Sequence, residues 1–133
     1  MQNTKIKLGF IKLGKALITL EAMAAKDPVG DRSNIDSTLI RFQYTIELFW
    51  KLLKVILQDR GVTDALYPKD VLQKAYQGHL VNDEKHWLQM IDDRNNIAHS
   101  YDEDVADKIY THIKSHVSVL RKTFDTLYHD LHK

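Results

Sequence analysis

The stretch Ile35-Asp-Ser-Thr-Leu-Ile-Arg-Phe-Gln-Tyr-Thr-Ile-Glu-Leu-Phe-Trp-Lys-Leu-Leu-Lys-Val-Ile56 decides the fold. Its apolar positions Ile35, Leu39, Phe42, Ile46, Phe49, Leu53 and Ile56 recur at alternating spacings of four and three, which is one stripe of an α-helix. Trp50, Leu52 and Leu57 widen that stripe beyond a narrow seam, so the helix is expected to sit centrally and touch two neighbours. Gly61 is its expected end.

Working outward, Ile6, Phe10, Leu13, Leu17, Leu20 and Ala24 repeat the pattern and predict a first helix within residues 4–25. The breakers and capping residues of Asp27-Pro-Val-Gly-Asp-Arg-Ser-Asn34 separate it from the central helix. Beyond Gly61, Pro68 suits the first turn of a short helix through about Gln77, with Gly78 as terminator. Asn82 or Asp83 can cap a fourth helix toward Ala98. The acids Asp102, Glu103 and Asp104 suit the positive end of a last helix, whose stripe is Val105, Ile109, Ile113, His116, Leu120, Phe124, Leu127 and Leu131. No convincing strand remains. The expected fold is all-α: an antiparallel up-and-down four-helix bundle with one additional short helix.

A length of 133 residues matches one domain, expected to span 1–133, since the chain shows no repeat, low-complexity tract or linker. With 44% hydrophobic and 28% charged residues, the composition excludes collagen-like and disordered chains. The absence of cysteine removes disulfide scaffolds, thiol nucleophiles and cysteine-based zinc sites, and fits a reducing, cytoplasmic location. A net charge of +1 supplies no global field to recruit nucleic acid or an anionic membrane, so any such binding must be local. Lys5, Lys7, Lys12 and Lys15 belong to the first amphipathic helix; no signal-peptide core follows them, and no apolar run is long enough to span a membrane.

The fourth helix carries an anomaly. At about 100° per residue, Arg94 falls on the apolar face with Trp87, Ile91 and Ala98. A guanidinium there must meet a carboxylate, a carbonyl or an exogenous anion, so two readings stand: a salt bridge to a neighbouring helix, or a phosphate-facing group. His99 follows five residues later, near the helix end, and Tyr101 two residues after that. Arginine can hold a nonbridging phosphate oxygen and histidine titrates near neutrality, so the pair has the parts for phosphodiester chemistry without a metal. The bare Arg-x4-His spacing arises by chance in roughly a quarter of shuffled chains of this composition; adding the tyrosine reduces that to roughly one in a hundred.

Arg94-Asn-Asn-Ile-Ala-His-Ser-Tyr101 resembles the Arg-x4-His-x-Tyr signature of the HEPN superfamily (higher eukaryotes and prokaryotes nucleotide-binding), including the polar residue after the arginine. Arg41-Phe-Gln-Tyr-Thr-Ile-Glu-Leu-Phe-Trp-Lys51 resembles the second-helix signature of its nucleotidyltransferase substrate-binding branch. The resemblance implies a dimerising helical bundle encoded beside a minimal nucleotidyltransferase. Some members are toxins that cleave RNA, with the matching arginine and histidine as the active pair. In those systems the nucleotidyltransferase is the antitoxin and adenylylates the matching tyrosine, here Tyr101. Other members are regarded as noncatalytic substrate-binding subunits.

Carried onto this chain, the resemblance makes His99 a general base or acid, Arg94 a stabiliser of phosphate charge, and Asn95 a residue that orients either group. One histidine cannot easily make both proton transfers, which favours a homodimer with two motifs in one cleft. No cofactor is implied. Against RNA binding stand the acids around the motif: Asp92, Asp93, Asp102, Glu103, Asp104 and Asp107. They could instead cap helices or dock a basic partner.

Other residues read as structural. His112 and His116, spaced i and i+4, lack an evident third ligand, and no metal site is expected from the sequence. Phe49, Trp50 and Trp87 read as core residues. Glu47 reads as the surface partner of Lys51 on the polar side of the central helix. His129 and His132 read as solvated, and His79 and His86 have no evident partner.

Overall fold

The computed structural model describes residues 3–26 and 32–132. The described elements are α1 (Thr4–Ala24), α2 (Arg32–Asp59), α3 (Pro68–Gln77), α4 (Glu84–Asn96), a 3-10 turn (Ile97–His99) and α5 (Glu103–Leu131). All are helical, and no strand occurs among the described residues. Helices α1, α2 and α5 are long, at 21, 28 and 29 residues; α4, at 13, is closer to the ten-residue α3 than the expectation of four long helices implied.

Helix α2 is central, packing against α1, α3, α4 and α5. Leu39, Phe42, Ile46, Phe49, Leu53 and Ile56 are buried, as are the flanking Leu52 and Leu57 that widen its apolar face. Ile35, expected in the core, is only half-buried. Helix α2 also starts earlier than its apolar stripe, at Arg32, so Arg32, Ser33 and Asn34 are helical rather than part of the break; residues 27–31 of that segment lie outside the described residues.

The ends of the helices follow from local chemistry. Gly61, at φ +89°, closes α2 in a Schellman arrangement: Val62 N–H donates to the Leu57 carbonyl at 2.8 Å and Gly61 N–H to that of Gln58 at 3.0 Å. Helix α3 ends in the same way, but with its left-handed residue shifted by one. Gly78 has φ −88°, whereas His79 has φ +62°, and Leu80 N–H donates to the Ala75 carbonyl at 2.8 Å. Asp83 rather than Asn82 caps α4, its carboxylate accepting from His86 N–H at 3.2 Å. Asp102 caps α5, accepting from Asp104 N–H at 2.9 Å, with Glu103 and Asp104 in the first turn.

Helix α5 buries Ile109, Ile113, His116, Leu120 and Leu127 of its stripe, while Val105, Phe124 and Leu131 are half-buried at its border. Phe10 of α1 meets the rings of Phe124 and Tyr128 edge-on, with centroids 5.7 and 5.6 Å apart. Arg121 of α5 grips Glu21 of α1 through two hydrogen bonds of 3.0 and 2.6 Å, a bidentate pair that favours the charged arginine. Together these contacts hold α1 and α5 against each other and leave the α4–α5 junction to carry the motif.

Candidate functional site

The motif occupies the end of α4, the 3-10 turn and the residues leading into α5. The α-helical register breaks after Asn96, earlier than the expected end at Ala98. In consequence Ile97 turns into the core and Ala98, expected on the apolar face, is exposed. The same tightening of the chain brings His99 to the surface. Tyr101, 84% exposed, lies beside it, with the two rings 6.2 Å apart edge to face.

Arg94 is one-quarter exposed and forms an ion pair with Glu47 of α2. Its Nη1 also donates to the Asn95 side-chain oxygen at 2.9 Å. The salt-bridge reading of this arginine is therefore the one the fold adopts, with a quarter of its side chain still exposed. Glu47 is not primarily the surface partner of Lys51. That i,i+4 pair exists at 3.8 Å, but the Glu47 side chain is itself one-quarter exposed and turned toward α4. The available signal was the flank of α2 widened by Trp50, which Glu47 borders, set against the lone arginine on the apolar face of α4.

The acids around the motif are mostly committed elsewhere. Asp92 pairs with Lys69 at 3.2 Å, Asp107 with Arg32, and Asp102 caps α5. These partners neutralise or employ charge that would otherwise repel a polyanion beside His99.

Asp93 is the residue whose role the sequence reading missed. It is 7% exposed, and its Oδ2 meets both His116 Nε2, at 2.6 Å, and His112 Nδ1, at 2.9 Å. His116 is fully buried, with its ring stacked on Phe42 at 5.2 Å and its Nδ1 3.0 Å from His86 Nε2. His86 thus has a partner after all. Burial by itself raises the Asp93 carboxyl, but the hydrogen bonds from His116 and His112 outweigh it and hold the group below the usual carboxylate range. Burial, followed by the nearby His116, pushes His86 below the ordinary histidine value. The signal in the sequence was a histidine on the apolar stripe of α5, which required a polar partner from a facing helix.

Phe49, Trp87 and Trp50 behave as packing residues: Phe49 and Trp87 are fully buried, edge to face at 4.9 Å, and Trp50 is half-buried against the core. His129 and His132 are exposed, with His132 stacked on Tyr128 at 3.8 Å.

Residues 8–132 match the family model described as nucleotidyltransferase substrate binding protein like. The chain belongs to this nucleotidyltransferase substrate-binding protein family, which is HEPN-like. Among relatives of this family, the probable ribonuclease HepT of Haemophilus influenzae is 30% identical over 123 residues, covering 80% of this chain and 83% of that protein. A crystal structure of a Thermus thermophilus protein is 30% identical, with a TM-score of 0.79 over 86% of this chain and 98% of its own. A further Haemophilus influenzae structure, described as revealing the fold of a substrate-binding domain of a nucleotidyltransferase, has a TM-score of 0.66 at 22% identity over 92% of this chain and 96% of its own. Both share the all-α bundle with this family member. Among its described residues no helix is long and apolar enough to cross a membrane.

Proposed function

We propose that this chain is an RNA-cleaving toxin, one cytoplasmic domain in extent, paired with a minimal nucleotidyltransferase antitoxin. The observation that carries the reading is the surface pairing of His99 with Tyr101 immediately beyond an arginine held by Glu47 and Asn95. The name of the Haemophilus influenzae relative supports it.

In this reading His99 withdraws the proton from a ribose 2′-hydroxyl or supplies one to the leaving oxygen. The 2′-oxygen attacks the adjacent phosphorus, the bond to the 5′-oxygen breaks, and a 2′,3′-cyclic phosphate forms. Arg94 stabilises the charge developing on the phosphate oxygens, and Asn95 holds Arg94 in place. The attacking group is the neighbouring hydroxyl, so the step needs no metal-bound water.

A homodimer would supply a second His99 for the other proton transfer. Exposed Leu8, Ile11 and Ile18 on α1, and Ile40 and Tyr44 on α2, offer apolar surface for a second copy of the chain to cover. Glu47 lines a shallow hollow with Ala16, Arg41, Tyr44 and Leu48 on that side while also holding Arg94, so a subunit covering the hollow would reach the motif.

The second reading is a noncatalytic subunit that presents substrate to the nucleotidyltransferase, which the family description favours. Expression without the partner separates the two. A nuclease arrests growth, and His99→Ala relieves the arrest. A binding subunit is tolerated in both forms.

A further inference from the structure

The cluster beneath the motif has the composition and placement of a cation site. We propose that Asp93, His112 and His116 bind one late first-row divalent cation, of the Zn2+ or Co2+ type, and so clamp the end of α4 to α5. Asp93 Oδ2, His112 Nδ1 and His116 Nε2 all lie within 4.8 Å of one another. Two imidazoles and one carboxylate form a donor set that suits these ions, and the i,i+4 spacing of the histidines directs both rings to one side of α5.

The present spacing is that of hydrogen bonds, 2.6 and 2.9 Å from the carboxylate oxygen. Tetrahedral zinc with bonds of about 2.0–2.1 Å places neighbouring ligand atoms about 3.3 Å apart. Admitting the ion therefore requires the donors to separate by less than about 1 Å, within reach of small side-chain rotations.

The surroundings also fit. A ligating histidine needs a partner on its other nitrogen to fix its tautomer, and His116 Nδ1 has one in His86 Nε2, at 3.0 Å. Binding of the ion at Nε2 displaces the proton that this nitrogen donates to Asp93; the ring then carries its proton on Nδ1 and donates it to His86. His86 Nε2, at hydrogen-bond distance from that nitrogen, is the acceptor. Phe42 fixes the His116 ring by stacking. The His112 side chain is 29% exposed, which opens a route for the ion and leaves a coordination position for water. Asp93 immediately precedes Arg94, so the clamp bears on the turn that presents the motif.

The test is titration of the full-length, chelator-treated protein with Co2+, followed by visible absorption, and with Zn2+, followed by thermal unfolding. The expected result is one Co2+ per chain with the d–d bands of a four- or five-coordinate site, displacement by Zn2+, and a rise in the unfolding midpoint. His112→Ala, at a half-buried position that folding tolerates, should weaken binding at least tenfold. His86→Ala, acting as a positioning residue, should weaken it about 10–100-fold. Folded wild-type protein without d–d bands would overturn the proposal. So would equal binding by wild type and His112→Ala, since it would place the ion on surface histidines such as His129 and His132.

Discussion

Replacing Glu47 separates the structural and chemical duties of Arg94. The two side chains are each about one-quarter exposed, at 26% and 25%, so solvent screens part of their attraction. A fully exposed pair contributes about 0.2–1 kcal/mol, and partial burial puts this one near the top of that range, at about 1 kcal/mol. Unfolding entropy of about 2.1 cal/mol/K per residue over 133 residues converts that to a midpoint drop of about 3–4 °C for Glu47→Ala. Cleavage should suffer more, because an arginine free to swing loses the alignment that lets it meet the phosphate; misplacement of about 1 Å costs roughly 100-fold. Glu47→Gln keeps an acceptor oxygen for Arg94 without the charge, so it should fall between wild type and Glu47→Ala in both measurements. Scanning calorimetry and single-turnover cleavage of RNA on the same preparations give the two numbers. The reasoning is refuted if Glu47→Ala cleaves as fast as wild type while Arg94→Ala does not cleave at all, because Arg94 would then act without its anchor.

Three further outcomes are expected. Phe49→Ala removes a fully buried ring packed edge to face on Trp87 and should cost about 3–5 kcal/mol, lowering the midpoint by roughly 10–18 °C by calorimetry. His79→Gly relieves a non-glycine residue at φ +62° and should stabilise the protein by about 1 kcal/mol in urea unfolding, whereas Gly78→Ala should not stabilise it comparably. Coexpression with the minimal nucleotidyltransferase of the proposed pair should add one or more AMP units to the peptide containing the exposed Tyr101, detected by mass spectrometry. The added anionic phosphate would occupy the subsite beside Arg94 and His99 and silence cleavage without unfolding the bundle.

The helices are legible in the sequence because burial imposes a period on the apolar residues. The α2 stripe from Leu39 to Ile56 is buried as its spacing predicts, and Asp83, Gly61 and Asp102 punctuate the chain where capping chemistry places them. Ideal periodicity fails where the helix stops being ideal. It carries the apolar face of α4 through to Ala98, but the change to a 3-10 turn buries Ile97 instead. Pairings across helices are harder to see. Arg94 announces its need for a partner, but many carboxylates could meet it, and Glu47 already has Lys51 one turn away. Asp93 looks like one acid among several until α5 brings His112 and His116 to it, because sequence spacing gives the face of each helix but not the rotation of one helix against another.

The central claim is that Arg94 and His99 cut RNA, and the most direct measurement is product analysis of RNA incubated with purified wild type, Arg94→Ala and His99→Ala in EDTA. The account predicts cleavage by wild type with a 2′,3′-cyclic phosphate terminus, and loss of cleavage in both variants, with helical content and unfolding midpoint close to wild type for the exposed His99. Undiminished cleavage by His99→Ala, or none by a folded wild-type protein free of Tyr101 modification, would contradict it.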